Sequence, residues 1–337
     1  MRSRLDRWFF PTGTGQSLAL FRVMLGCILV IALLGGYFDP SLWANPDGIF
    51  SSEASREWNH RLGHWNPLAE APTWLAWAVW WSILGAGIFF VLGWLPQVCA
   101  AVVFLGLVML HHRAPVILFG ADTLLRLSFF WMIFAPSGDF LRLRVHSLGR
   151  ISPLRGRGPG EAGLPRTEGE ALGRSGEGSP SERHLWPQRF LQLQWALMYF
   201  TTFLGKTLGE TWRIGEAAWY PPRLEGFARF PVPAWIDRTP FLQIQTYGAL
   251  AIEFALATLI FVPKFRTPVV LGGVLLHAMI EWRLNIPMFA ALSVAGYVLF
   301  FTGEETARFF RRCSAFVSSS LSSGRTPRDT GSAGTPI

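Results

Sequence analysis

The sequence predicts an all-α fold, a polytopic transmembrane helical bundle of about eight spans with a disordered cytoplasmic insertion. Three observations predict it. Half of the 337 residues are hydrophobic and only 15% are charged, too apolar a balance for a water-soluble domain of this length. Apolar runs long enough to cross a bilayer recur along the chain. The arginines gather in a few connecting segments and not along one amphipathic face, as in loops that face the cytoplasm.

The apolar runs begin near Leu18, Trp74, Val98 and Leu124, then near Phe190, Phe241, Pro268 and Ile286. Residues 17–38 follow Arg2, Arg4 and Arg7, but this is no signal peptide: the run is of spanning length, holds Arg22 and precedes no small-x-small cleavage site. The run from Leu124 is short and polar at its start, which predicts a tilted or re-entrant helix. Trp77, Trp80 and Trp81 on the second run suit either an interfacial belt or packing.

Residues 1–136 and 188–312 therefore form two halves of one transmembrane domain. Between them, 137–187 turns abruptly to Gly, Pro, Arg, Ser and Glu, as in "PLRGRGPGEAGLPRTEGEALGRSGEGSPSER", too few apolar groups to offset the entropy of ordering. The tail, 313–337, reads the same way. With eight spans, the N-terminal arm, the central loop, Lys264 with Arg266, and the tail fall on one side, so both termini are expected in the cytoplasm. Loops 39–72 and 209–240 then lie outside. The net charge of +8 is accounted for by these loops and implies membrane lipids, not nucleic acid, as the partner. Cys27, Cys99 and Cys313 stand too far apart to argue a disulfide framework or a metal site.

An ionisable residue inside a span costs roughly 2.5–3.5 kcal/mol on insertion scales and needs a partner, water or a function. Here such residues collect toward one leaflet: His111, His112, Arg113 and Asp122, then Lys206, then His277, Glu281 and Arg283. His277 and Glu281 share a helix face at i,i+4, as do Asp122 and Arg126, so each is expected to form a local pair. Asp122 with Arg126 reads as a structural or site-supporting ion pair. Lys206 either snorkels to the interface or acts as a partly dehydrated base.

The blocks "LQLQWALMYFTTFLGKTLGETWRIGEAAWY" and "LLHAMIEWRLNIPMF" resemble the bacterial HTTM domain family and, through it, the membrane domain of the vitamin K-dependent gamma-carboxylase. "LALFRVMLG" and "PVILFGADTLLRLSFFWMIFAPSG" extend the resemblance through the first half. The resemblance implies that Lys206 is the base toward a reduced quinone, a vitamin K hydroquinone-like lipid. It places the family's histidine on His277, with Met288 and Phe289 completing the block. It also implies a bacterial inner-membrane location, carboxylase-like (lyase or quinol epoxidase) chemistry, and a quinol-recycling oxidoreductase as partner. Catalytic candidates are thus Lys206, His277 and Glu281. No counterpart of the carboxylase's large extra-membrane domain follows, so carboxylation of a protein partner is not expected. The alternative is a non-catalytic lipid- or quinone-binding protein or accessory subunit, with the same residues as structural ion pairs.

Overall fold

A computed structural model describes residues 4–46, 48–138, 140–141, 183–309 and 311 of the chain. The expected tail at 313–337 and most of the expected central loop, 142–182, lie outside the described residues. The chain is mostly helical. Twelve α-helices occur among the described residues: α1 (Arg4–Phe9), α2 (Gln16–Leu34), α3 (Pro40–Trp43), α4 (Ser52–Arg61), α5 (Thr73–Leu92) and α6 (Pro96–Arg113). They continue as α7 (Gly120–Met132), α8 (Trp186–Thr207), α9 (Glu210–Arg213), α10 (Thr239–Ala257), α11 (Pro263–Arg283) and α12 (Phe289–Tyr297). One short antiparallel pair joins β1 (Thr12–Gly13) to β2 (Arg183–His184).

Each expected apolar run is helical. Three helices, α2, α5 and α6, are long and apolar enough to cross a membrane. The helices α8, α10 and α11, at 22, 19 and 21 residues, have spanning length but carry more polar groups. At 13 residues α7 rises only about 20 Å, short of a bilayer's apolar core. The C-terminal apolar helical stretch, Phe289–Phe300, is also short.

Consecutive helices pack side by side, α5 on α6 and on α2, α6 on α7, α8 on α10, α10 on α11 and α11 on α12. Helix α12 ties the halves together by touching α2, α7 and α8. The buried core is aromatic where the halves meet: the Phe21 and Trp195 rings lie edge to face at 5.6 Å. Small residues allow this closeness. A Cβ built on Gly296 would fall 2.0 Å from the Trp195 ring, so only glycine lets α12 approach α8 there.

The two ends of the bundle differ. At one end Arg189 donates to the Trp8 carbonyl, Arg266 pairs with Glu305 at 3.1 Å, and the Ser17 hydroxyl bonds to Thr306. Arg22 is fully buried and caps the carbonyls of Ser137, Phe140 and Leu141. The described ends of the central loop are thus held, Ser137–Leu141 by Arg22 and Arg183–His184 by β1. At the other end lie α3, α4, α9 and the loop before α10. There Arg113, also sealed, donates to Phe50 and Asn45 carbonyls and to the Ser52 hydroxyl.

Candidate functional site

Lys206 is the second-last residue of α8, and its ammonium meets Glu253 of α10 in an ion pair. The Glu253 side chain is 7% exposed and that of Lys206 27%, so the contact sits inside the helix bundle with the lysine as its outer member. Trp212, from α9, lies with its ring 5.0 Å from the lysine nitrogen and covers that side. The second carboxylate oxygen, Oε2 of Glu253, is buried with no hydrogen-bond partner among the described residues. The Thr202 hydroxyl donates to the Tyr199 carbonyl at 3.0 Å and also lies close enough to the Glu253 carboxylate to interact with it.

His277 of α11 is 1% exposed and close enough to feel the Lys206 charge. Its Nδ1 lies 2.8 Å from the Gly273 carbonyl, an acceptor only, so Nδ1 carries the proton. Nε2 is then an acceptor, and the Tyr199 hydroxyl at 3.4 Å is its donor. Tyr199 and Tyr297 hydroxyls are 2.8 Å apart, so Tyr297 donates to Tyr199. A directed chain therefore runs from Tyr297 through Tyr199 into the imidazole. Gly273 permits it, since a Cβ there would stand 2.6 Å from the Tyr297 hydroxyl.

A second polar cluster occupies the end of the first half opposite α1. Tyr37 follows α2, and its hydroxyl donates to Asp122 Oδ1 and lies 2.9 Å from His111 Nε2. Burial, then the Asp122 charge, holds the Tyr37 hydroxyl protonated well beyond the usual tyrosine range. His112, next in sequence, stacks on His64 at 4.6 Å. Asn59 of α4 anchors this end by donating to the His112 carbonyl.

Comparison with family models, curated proteins and solved structures returned no match. The chemistry of the site is therefore argued from its geometry. Among the described residues no group of three or more His, Cys, Asp or Glu is placed to hold a metal ion.

Lys206 lies within electrostatic reach of His277, with no hydrogen bond between them, and two expected pairs are not formed. Glu281 does not serve His277: it pairs with Arg229 of the loop before α10, and its side chain is 43% exposed. The loop is drawn there because Arg229 N–H bonds to the Arg283 carbonyl and Asn285 N–H to that of Phe227, which sets Arg229 beside α11. Asp122 and Arg126 form no salt bridge either. Asp122 is the third residue of α7 and turns back to accept from the Phe119 N–H at 2.7 Å, capping the helix start, while its other oxygen takes the Tyr37 proton.

Sequence reasoning missed Glu253, Tyr199 and Tyr297. The available signal for Glu253 was a lone acid in the apolar run "ALAIEFALA", which has no local partner and so demands a distant one. Tyr199 sits in the same quoted block as Lys206, seven positions before it.

Proposed function

We propose that the chain is a polytopic membrane protein of the HTTM type, with about eight helical segments, in a bacterial inner membrane. In this reading both termini and the 137–187 loop face the cytoplasm. Supporting that orientation, the N-terminal arm, both described ends of the loop, and Arg266 with Glu305 gather at one end of the bundle.

Lys206, Glu253 and His277 form an acid–base site for a membrane-dissolved substrate bearing an acidic hydroxyl, of the reduced-quinone class. The observation that carries this is the buried Lys206–Glu253 pair, in which Oε2 of Glu253 makes no hydrogen bond of ordinary geometry and its one neighbouring hydroxyl, that of Thr202, already donates to the Tyr199 carbonyl. A phenolic hydroxyl is a donor of the required kind. A reduced quinone would supply that hydroxyl and the electrons behind it. The chain's part is to accept the hydroxyl at Glu253, to hold one dissociable proton in the lysine–carboxylate pair, and to orient His277 through Tyr199 and Tyr297. The carboxylase-like (lyase) character and a quinol-recycling oxidoreductase partner rest on the sequence resemblance alone.

Oxidation of a reduced naphthoquinone by the purified protein in vesicles, in air-saturated buffer, tests the assignment. The rate is expected to fall at least about tenfold in Lys206→Ala and in Glu253→Gln. Rates equal to wild type in both would end it. A non-catalytic lipid or quinone binder remains the competing reading, favoured by the fact that Glu253 already neutralises Lys206. It expects quinone to bind Lys206→Ala as it binds wild type, with only thermal stability reduced.

A further inference from the structure

Arg126 lies on α7 four residues beyond Asp122, on the same helix face, and that face looks onto Tyr37 and His111. Its charge reaches the Tyr37 hydroxyl. Yet the half-buried guanidinium has no hydrogen bond or salt bridge to any described residue. The contrast with the other inward arginines is plain. Arg22 donates to three carbonyls, Arg113 to two carbonyls and a hydroxyl, and Arg283 to Gln245 and Asp237, each through its terminal nitrogens with Nε left over. Asp122, the near acid, has both oxygens engaged, by Tyr37 and by the Phe119 N–H.

His111 supplies the complementary defect. Tyr37 has one hydroxyl proton and gives it to Asp122, so the His111 Nε2 at 2.9 Å must itself donate to the Tyr37 oxygen. In a neutral ring Nδ1 is then a bare acceptor. This atom is buried without a partner, in a residue only 1% exposed. Arg126 also acts electrostatically on His111, so one neighbourhood offers guanidinium donors lacking an acceptor and an imidazole acceptor lacking a donor. A ligand that satisfies both carries an oxyanion and a hydroxyl.

We propose that Arg126 and His111 form a binding site for a hydroxyl-bearing phosphate, at the end of the first-half helices opposite α1. A guanidinium suits this ligand because its fork matches two phosphate oxygens. Two sources share the chemistry, the headgroup of a glycerol-phosphate lipid and a soluble glycerol phosphate. The site is separate from Lys206 and does not depend on its catalytic role.

The full chain in detergent is titrated with glycerol 1-phosphate by calorimetry. In parallel, native mass spectrometry compares nanodiscs of phosphatidylglycerol with nanodiscs of phosphatidylcholine. The expected result is saturable binding of one probe, weakened at least about tenfold in Arg126→Gln and partly kept in Arg126→Lys. Ethyl phosphate, a monoester of the same charge without a free carbon-bound hydroxyl, is expected to bind wild type more weakly than glycerol 1-phosphate. Selective retention of phosphatidylglycerol identifies the lipid source, and calorimetric binding identifies the soluble one. If Arg126→Gln does not fold, Arg126→Lys alone decides, since its ammonium cannot reproduce the bidentate contact and must weaken binding. Absence of binding by both probes, or affinity unchanged in the folded variants, would overturn the proposal.

Discussion

Lys206 near the end of α8 is neutralised by Glu253 of α10, a residue 47 positions further along the chain. This contact joins two helices that have no other ion pair between them among the described residues. Removing one partner leaves the other charge in a poorly solvated place, which costs more than removing both. Lys206→Ala and Glu253→Gln are each expected to lower thermal stability in detergent, and the double variant to lose less than the sum. The coupling should come to about 1–3 kcal/mol, the upper end being reached only if the partial exposure of Lys206 does little to screen the pair. Additive losses would show that the pair contributes nothing as a pair.

Two glycines hold the other side of the site. A Cβ at Gly296 would enter the Trp195 ring, and one at Gly273 would collide with the Tyr297 hydroxyl. Gly296→Ala is expected to cost about 2 kcal/mol or more, because a buried indole cannot move aside cheaply. Gly273→Ala should cost about 1–2 kcal/mol and push Tyr297 away from Tyr199. Tyr297→Phe in the Gly273→Ala background recovers part of the loss by removing the clashing oxygen. Melting temperatures of the three variants check this, and a Gly296→Ala protein as stable as wild type would contradict the close approach of α12 to α8.

The helical segments were legible because each rests on a local property, the length of an apolar run. Lys206 and His277 were legible too, since polar groups in apolar runs stand out. Partners were not. The i,i+4 rule places Glu281 on the same side as His277, but α11 buries His277 while Glu281 lies beyond the packed region, where Arg229 reaches it. The same rule offered Arg126 to Asp122, and the competing demand of an uncapped helix start took the carboxylate first. Glu253 was hidden because its partner is set by tertiary packing of α8 on α10, which no local spacing encodes.

Arg22 illustrates a buried charge satisfied without a counter-ion. Its guanidinium caps three carbonyls in the segment that leaves α7, and Gly93 packs against it, a Cβ there lying 3.0 Å from one of its nitrogens. A lysine ammonium carries its three donors on one atom and cannot span acceptors that the guanidinium reaches from two separate nitrogens. Arg22→Lys is expected to cost about 2–3 kcal/mol and Arg22→Ala more. In both, limited proteolysis should cut faster near Ser137–Leu141. Unchanged cleavage there in Arg22→Ala would mean that the arginine does not hold this segment.

The Tyr37 cluster makes stability depend on alkaline pH. The folded protein holds the Tyr37 proton more tightly than an unfolded chain, whose tyrosine titrates near the ordinary value of 10.0. Between the two values the unfolded state binds fewer protons, so rising pH favours unfolding. The contribution is fully present below the unfolded value and is lost as pH rises toward the folded one. Tyr37→Phe has no hydroxyl proton to lose. It should start less stable than wild type at pH 8, because Asp122 and His111 lose their shared partner, yet show a smaller further drop in melting temperature between pH 8 and about pH 11. A drop as large as that of wild type would mean that Tyr37 is not held protonated by Asp122 and burial.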